Sequence, residues 1–174
     1  MTAEPALSHF VREVPDFPTP GVVFRDITPL LADARALARA IDAMCARWLG
    51  RGVEAVASME ARGFIFGTAI ATRLGAGFVP VRKMGKLPWR TLSQTYALEY
   101  GQDVLEIHQD AFPAGTRVLL VDDVIATGGT AAAVVDLVRK LGGDVVGAQF
   151  LVEIAALKGR SRLAGVETAS VITY

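Results

Sequence analysis

The stretch Arg117-Val118-Leu119-Leu120-Val121-Asp122-Asp123-Val124-Ile125-Ala126-Thr127-Gly128-Gly129-Thr130 constrains the fold more than any other part of the chain. Its apolar run, Val118 to Val121, has the pattern of a strand covered on both faces, and so of a parallel sheet with helices on each side. Two adjacent carboxylates, Asp122 and Asp123, follow where that strand is expected to end. A short loop with two glycines between two threonines comes next, and the apolar spacing from Ala131 to Leu141 predicts a helix. In an open α/β sheet, ligands bind in the crevice outside the carboxyl ends of the strands. Free backbone N–H groups, glycines that allow close approach, and hydroxyls at a helix N-terminus suit a phosphate. Carboxylates repel phosphate, so the two aspartates need a different partner. The loop lacks the spacing and the lysine of a Walker P-loop, and the GxGxxG dinucleotide fingerprint is absent.

The flanking segments supply the other layers. Val53–Met59 reads as a strand, Phe64–Leu74 as a helix and Gly77–Arg82 as a strand, which predicts a parallel crossover. Ser93–Tyr100 and Val104–His108 flank Gly101-Gln102-Asp103 and predict a hairpin. Asp144–Ile154 reads as a strand, Ala155–Leu163 as a short helix and Thr168–Thr173 as the last strand. Upstream, residues 4–13 predict a short helix, and the four prolines from Pro15 to Pro29 exclude helix after it. Phe17, Val22, Val23 and Phe24 need cover from water, so this stiff segment either packs over the core or lines a pocket. Asp33 is placed to cap a helix carrying Leu37, Ile41, Met44, Cys45 and Trp48, with Gly50 and Gly52 as its stop. The expectation is one α/β domain over residues 1–174, with an N-terminal flap over about residues 1–30 and an inserted basic loop and hairpin over about 83–108.

Charge and composition narrow the function. Eighteen basic and eighteen acidic residues cancel, leaving no global field to attract nucleic acid or a membrane surface. Cys45 is the only cysteine, so no internal disulfide can form, as suits a reducing cytosol. No apolar stretch approaches the ~18 residues of a membrane span, and Glu4 and Pro5 stand where a secretory signal needs a basic and then an apolar run. A cytoplasmic protein is expected. His9 and His108 have no metal-ligand spacing.

Three further segments carry chemistry. Glu60-Ala61-Arg62-Gly63 is either an ordinary turn after a strand or an anion site on the same crevice, for which Arg62 is the natural cation. Arg82-Lys83-Met84-Gly85-Lys86-Leu87-Pro88 is a solvated basic loop unless the ligand carries a diphosphate. Glu99, on the hairpin, is an exposed acid or a general acid–base group.

Val121 to Thr130 resembles the phosphoribosyl-pyrophosphate (PRPP) motif of the type I phosphoribosyltransferases. Residues 82–88, Tyr96-Ala97-Leu98-Glu99-Tyr100-Gly101, the flap from Asp16 to Ile27, and Leu157-Lys158-Gly159-Arg160 are similar to segments of the adenine-specific members. The resemblance implies a central, mainly parallel sheet flanked by helices, with an N-terminal hood and an inserted flexible catalytic hairpin. It implies transfer of the phosphoribosyl group from PRPP to N9 of adenine, giving AMP and pyrophosphate, with Mg²⁺ held mainly by substrate oxygens and few direct protein ligands. Ala126, Thr127, Gly128, Gly129 and Thr130 would hold the 5′-phosphate, and Asp122 and Asp123 the ribose hydroxyls. Glu60, Ala61, Arg62, Arg82, Lys83 and Lys86 would bind pyrophosphate, and a cis peptide bond in the 60–63 loop is common in the family. Glu99 would be the catalytic acid or base. Phe24 and Ile154 would sandwich the purine while backbone groups of Val23 and Arg25 read its edge. A homodimer is implied, with neither nucleic acid nor membrane as partner. The alternatives are a transferase for another purine, whose 6-oxo group wants a donor such as Lys, and a PRPP- or nucleotide-sensing regulator. A DNA-binding regulator would need an added module, for which the residues before Val14 leave no room.

Overall fold

Prolines at 15, 18 and 20 decide the form of the N-terminal segment, because none can sit inside a helix or a central strand. The computed structural model describes residues 5–97 and 102–174, and separates into two compact units, Met1–Ala43 and Met44–Tyr174. In the first, β1 (Arg12–Pro15) and β2 (Val23–Asp26) pair antiparallel with Val14 opposite Phe24. The connection contains a cis Phe17–Pro18 bond, and the Gly21 amide donates to the Asp16 carboxylate at 2.7 Å. The helix expected over residues 4–13 shrinks to a 3-10 turn, Leu7–Phe10, because Arg12 to Pro15 take β2 as a ladder partner instead. α1 (Thr28–Ala32) carries Pro29 in its first turn, where the missing N–H has no intrahelical partner to lose. Asp33 caps α2 (Ala34–Ala46) as expected, accepting from the amides of Arg35 at 3.0 Å and Ala36 at 2.8 Å.

The second unit holds β3 (Ala55–Met59), α3 (Gly63–Leu74), β4 (Gly77–Lys83), β5 (Thr91–Ala97), β6 (Gln102–His108), β7 (Arg117–Ile125), α4 (Gly129–Lys140), β8 (Asp144–Glu153) and β9 (Thr168–Thr173). The sheet order is β5-β6-β4-β3-β7-β8-β9. β4, β3, β7, β8 and β9 are parallel, while β6 and β5 extend the sheet as an antiparallel hairpin. This is the α/β class with a mainly parallel sheet that the apolar run and the resemblance imply.

β7 is the third of the five parallel strands, flanked by β3 and β8, and is buried on both sides. Val118 and Leu120 join one apolar cluster with Ala55, Ala57 and Met59 of β3 and Val134, Leu137 and Val138 of α4. On the opposite face, a Cβ on Gly67 of α3 would lie 2.5 Å from the Ser58 Cβ, so only glycine lets that helix approach so closely. The Ser58 hydroxyl donates to the Val121 carbonyl at 2.7 Å, which satisfies the buried side chain and ties β3 to β7.

Two further differences from the sequence reading bear on the site, beside shifts of a residue or two at the starts of β3, β5 and β6. β7 does not stop before the acids: β8 remains paired with Asp122, Val124 and Ile125, so the ladder carries the strand past them. The short helix expected over Ala155–Leu163 is two 3-10 turns, Ala155–Leu157 and Gly159–Leu163, broken where Lys158 adopts a left-handed φ of 52°.

Candidate active site

The loop after β7 is shaped by backbone packed on backbone. Gly128, with φ +78°, is the N-cap of α4, a conformation glycine adopts without penalty. A Cβ at Gly128 would lie 2.3 Å from the Gly159 carbonyl oxygen, and one at Gly159 would lie 2.4 Å from the Ala126 carbonyl oxygen. Neither position admits a side chain. Ala126, Thr127, Gly128, Gly129 and Thr130 line a pocket of about 100 Å³ together with Asp122, Val124, Ile125 and Ala131. The amino end of the twelve-residue α4 lies in this lining, where its unpaired amides and dipole favour an anion.

The two acids have different surroundings. Asp123 is buried and ion-paired with the Nε of Arg62. Burial pushes the Asp122 carboxyl well above the usual carboxylate range, and the neighbouring Asp123 charge adds to the rise. An Asp122 oxygen also accepts from the Asp123 amide at 2.9 Å. A Cβ on Gly63 would lie 2.5 Å from that same Oδ1, so Gly63 at the start of α3 is the residue that makes room for it.

The loop after β3 is organised by a carboxylate. Glu60 and Ala61 are joined by a cis peptide bond, as the resemblance implies. The Glu60 side chain, 9% exposed, takes the Arg82 guanidinium at 3.0 Å and the Lys86 ammonium at 3.1 Å, and accepts from the Lys83 amide at 2.8 Å. Burial alone would raise its pKa, but the hydrogen bonds from Lys83, Lys86 and Arg82 outweigh it and hold the carboxyl below its ordinary value. Lys83 pairs instead with Asp103 of β6 at 3.0 Å, and that hydrogen bond raises its pKa. Arg62, Arg82, Lys83 and Lys86 are thus gathered near the carboxyl ends of β3 and β4, each with an internal carboxylate partner.

The sequence reading missed two features. Asp103 carries no motif that marks it as a partner for Lys83, since β4 and β6 must pair before the two meet. Tyr96 belongs to a quoted segment but received no role; it packs on the core cluster, and its hydroxyl donates to Asp103 at 3.5 Å with the Thr130 side chain close enough to influence it. Glu99 lies outside the described residues.

The purine candidates fall in both units. Val23, Phe24 and Arg25 lie on β2, where Phe24 meets Phe17 edge to face at 5.2 Å and Arg25 pairs with Glu13. Ile154 follows β8, and its amide donates to the Ile125 carbonyl at 3.0 Å, which sets it beside the start of the loop Ala126–Thr130. Among the described residues, no group of three or more His, Cys, Asp or Glu gathers as a metal site, and no helix is long and apolar enough to cross a membrane.

Comparison with known proteins gives the family. A family model described as the phosphoribosyl transferase domain matches residues 25–170. The chain belongs to the phosphoribosyltransferase family. An adenine phosphoribosyltransferase from Thermobifida fusca is 56% identical over 96% of this chain and 95% of its own length. The crystal structure of adenine phosphoribosyltransferase from Thermoanaerobacter pseudethanolicus superposes with a TM-score of 0.94 at 50% identity, covering 97% of this chain and 98% of that one. The Saccharomyces cerevisiae enzyme, solved with an imino-altritol bisphosphate and adenine, gives 0.90 at 38% identity, covering 95% and 96%. Within the family, the chain groups with the adenine phosphoribosyltransferases.

Proposed function

We propose that this chain transfers the 5-phosphoribosyl group from PRPP to N9 of adenine, releasing pyrophosphate and forming AMP. The observation that carries the reading is the juxtaposition, at the carboxyl end of β7, of an amide-lined cradle with two adjacent carboxylates, one of them paired with Arg62. The cradle, Ala126 to Thr130, takes the 5′-phosphate. Asp123, paired with Arg62, accepts from a ribose hydroxyl, while Asp122, with its raised pKa, is suited to share a proton with the other. Both face the positive charge that develops on the sugar as pyrophosphate leaves.

Arg62, Arg82, Lys83, Lys86 and the Ala61 backbone take the diphosphate. We assign Glu60 to this site through the cations it positions, since its own charge repels phosphate. Val23, Phe24 and Arg25 of β2 and Ile154 after β8 are assigned to the purine. Glu99 is the acid–base group at the imidazole ring of adenine, which loses a proton as N9 bonds to C1′.

The residues present fit Mg²⁺ as an ion carried by the substrate: the adjacent carboxylates Asp122 and Asp123 are too few to cage it, since among the described residues no group of three or more His, Cys, Asp or Glu gathers, and the metal would keep most of its ligands from phosphate and water. When bound, it supplies charge neutralisation of the departing pyrophosphate. We assign residues 1–174 to a single phosphoribosyltransferase domain and the assembly to a cytoplasmic homodimer. Sedimentation as a monomer at micromolar concentration would overturn the dimer.

The deciding experiment offers purified protein, PRPP and Mg²⁺ with adenine, hypoxanthine or guanine separately. Nucleotide is expected from adenine alone. A product from hypoxanthine or guanine at comparable rate, or none from adenine, sinks the assignment.

A further inference from the structure

The segment that presses on the phosphate loop from behind is itself held by a network outside the pocket lining. Glu153, the last residue of β8, is buried with 9% exposure. Arg160, on the second 3-10 turn, meets it as a two-pronged fork: Nε donates to one carboxylate oxygen at 2.7 Å and Nη2 to the other at 2.5 Å. The Ser170 hydroxyl of β9 donates to the same carboxylate at 2.5 Å, and the second guanidinium arm reaches the Thr168 carbonyl at 2.5 Å. Bidentate Arg–carboxylate pairing is the strong, directional form of a charge-assisted hydrogen bond. The Arg160 bond holds the Glu153 carboxyl below its ordinary value, consistent with a pair that stays charged.

The fork matters because of what lies next to it. Arg160 follows Gly159, whose backbone sits in contact with Gly128 and Ala126. Between Glu153 and Arg160 the chain turns tightly: Ile154 donates to the Ile125 carbonyl at 3.0 Å, and Lys158 donates to Ala155 at 3.0 Å. The segment 154–160 is therefore pinned at its start to the end of β7 and at its finish to Glu153, with Gly159 facing the loop.

We propose that Arg160 is a positioning residue for phosphate binding: through its fork on Glu153 it keeps the Gly159 backbone against Gly128 and Ala126, and so holds the loop Ala126–Thr130 in its phosphate-binding shape. Arg160 does not line the pocket and touches no phosphate; it acts through Gly159. The inference rests on the reading of Ala126–Thr130 as the 5′-phosphate site.

Calorimetric titration with ribose 5-phosphate, and separately with Mg²⁺-pyrophosphate, tests it at a temperature well below the lowest variant Tm. Arg160→Ala is expected to raise the Kd for ribose 5-phosphate about tenfold, the size of one well-formed charged hydrogen bond lost from a supporting position. The Kd for pyrophosphate should stay within about twofold. Arg160→Lys keeps the charge but not the fork, and about threefold is expected. It also serves if the alanine variant does not fold. Arg47→Ala, which breaks a partly exposed pair with Glu167 away from the loop, serves as the control for general loosening and should change neither ligand. Weakening of both ligands to the same extent, or ribose 5-phosphate affinity unchanged in the soluble Arg160 variant, overturns the positioning role. Failure of the parent protein to bind ribose 5-phosphate overturns the phosphate reading itself, and the positioning role with it.

Discussion

The loop after β7 and the loop after β3 leave neighbouring parallel strands, yet they are built from opposite materials. The first uses backbone: glycines at Gly128 and Gly159 pack main chain on main chain, and the anion-attracting groups are amides at the start of α4. The second uses charge: Arg62, Arg82 and Lys86 are gathered, each already paired with Asp123 or Glu60. Amides fixed by packing need no partner exchange to receive an anion, whereas paired cations must trade a carboxylate for the ligand. A terminal phosphate that stays bound throughout the reaction suits the first construction. A diphosphate that must leave suits the second, because carboxylates stand ready to take the cations back.

Neither loop is assigned the proton of the purine ring, and the largest predicted effect lies there. Glu99→Ala should lower kcat by ~10²–10⁴-fold, the usual worth of a positioned acid–base group, with a far smaller change in the KM for PRPP. Initial rates with PRPP varied at saturating adenine read the split. An unchanged kcat removes Glu99 from the mechanism and leaves the two anion loops as the whole of the catalytic apparatus.

The next prediction breaks the backbone-built loop. Gly128→Ala puts a methyl 2.3 Å from the Gly159 carbonyl oxygen at a φ of +78°, so one or both segments must move. Left-handed strain alone is worth ~1–3 kcal/mol, and kcat/KM for PRPP should fall about tenfold to a hundredfold. Pyrophosphate affinity measured on the same protein should hardly change. Equal losses at both ligands would mean that the two loops are not separable as described.

The contrast also explains what could be read from the amino acids alone. β7 and α4 were legible because burial on both faces writes an unbroken apolar run, and the Thr-Gly-Gly-Thr loop marks the turn between them with its glycines. Thr168–Thr173 and the Asp33 cap were equally plain, each resting on local chemistry. The reach of β7 through Asp122 and Asp123 was not, since it depends on β8 continuing alongside. The fate of Glu60 was hidden for a similar reason. Its cations lie twenty or more residues away, and only the β3–β4 pairing brings them to one carboxylate. The N-terminal helix failed because helical spacing in a ten-residue segment competes with a strand partner that periodicity does not reveal.

Removing that carboxylate tests the charge-built loop. Glu60→Gln leaves Arg82 and Lys86 without their anchor, and kcat/KM for PRPP should fall about fivefold to tenfold, mostly through KM. A gain in affinity would show that Glu60 competes with the ligand more than it positions the cations. Stability has a definite sign as well. The folded-state pKa of Glu60 lies below 4.5, so its contribution is fully present above that value and is lost as pH falls through the lower folded value. Parent and Glu60→Gln should therefore differ in denaturant midpoint at pH 7, and the gap should narrow in acid below about pH 4.5. A gap that stays constant with pH would assign the difference to packing instead of charge.

The smallest effect separates the two constructions without any mutation. Added salt screens partly exposed side-chain charges more strongly than dipoles and amides fixed at a helix end, because the Debye length shrinks from about 30 Å at 0.01 M to about 8 Å at physiological ionic strength. Arg62 and Lys86 are about half exposed, at 48% and 50%, and so lie within reach of that screening. Across this range the Kd for pyrophosphate should rise several-fold, and that for ribose 5-phosphate by about half as much on a logarithmic scale. Titrations in chloride at fixed Mg²⁺ and pH give both slopes on one protein. Parallel slopes would mean that the phosphate loop depends on the same cations as the diphosphate loop, and the division between backbone and side-chain recognition would have to be abandoned. Divergent slopes that converge in Gly128→Ala would tie the salt-resistant share of binding to the amides packed behind Gly159.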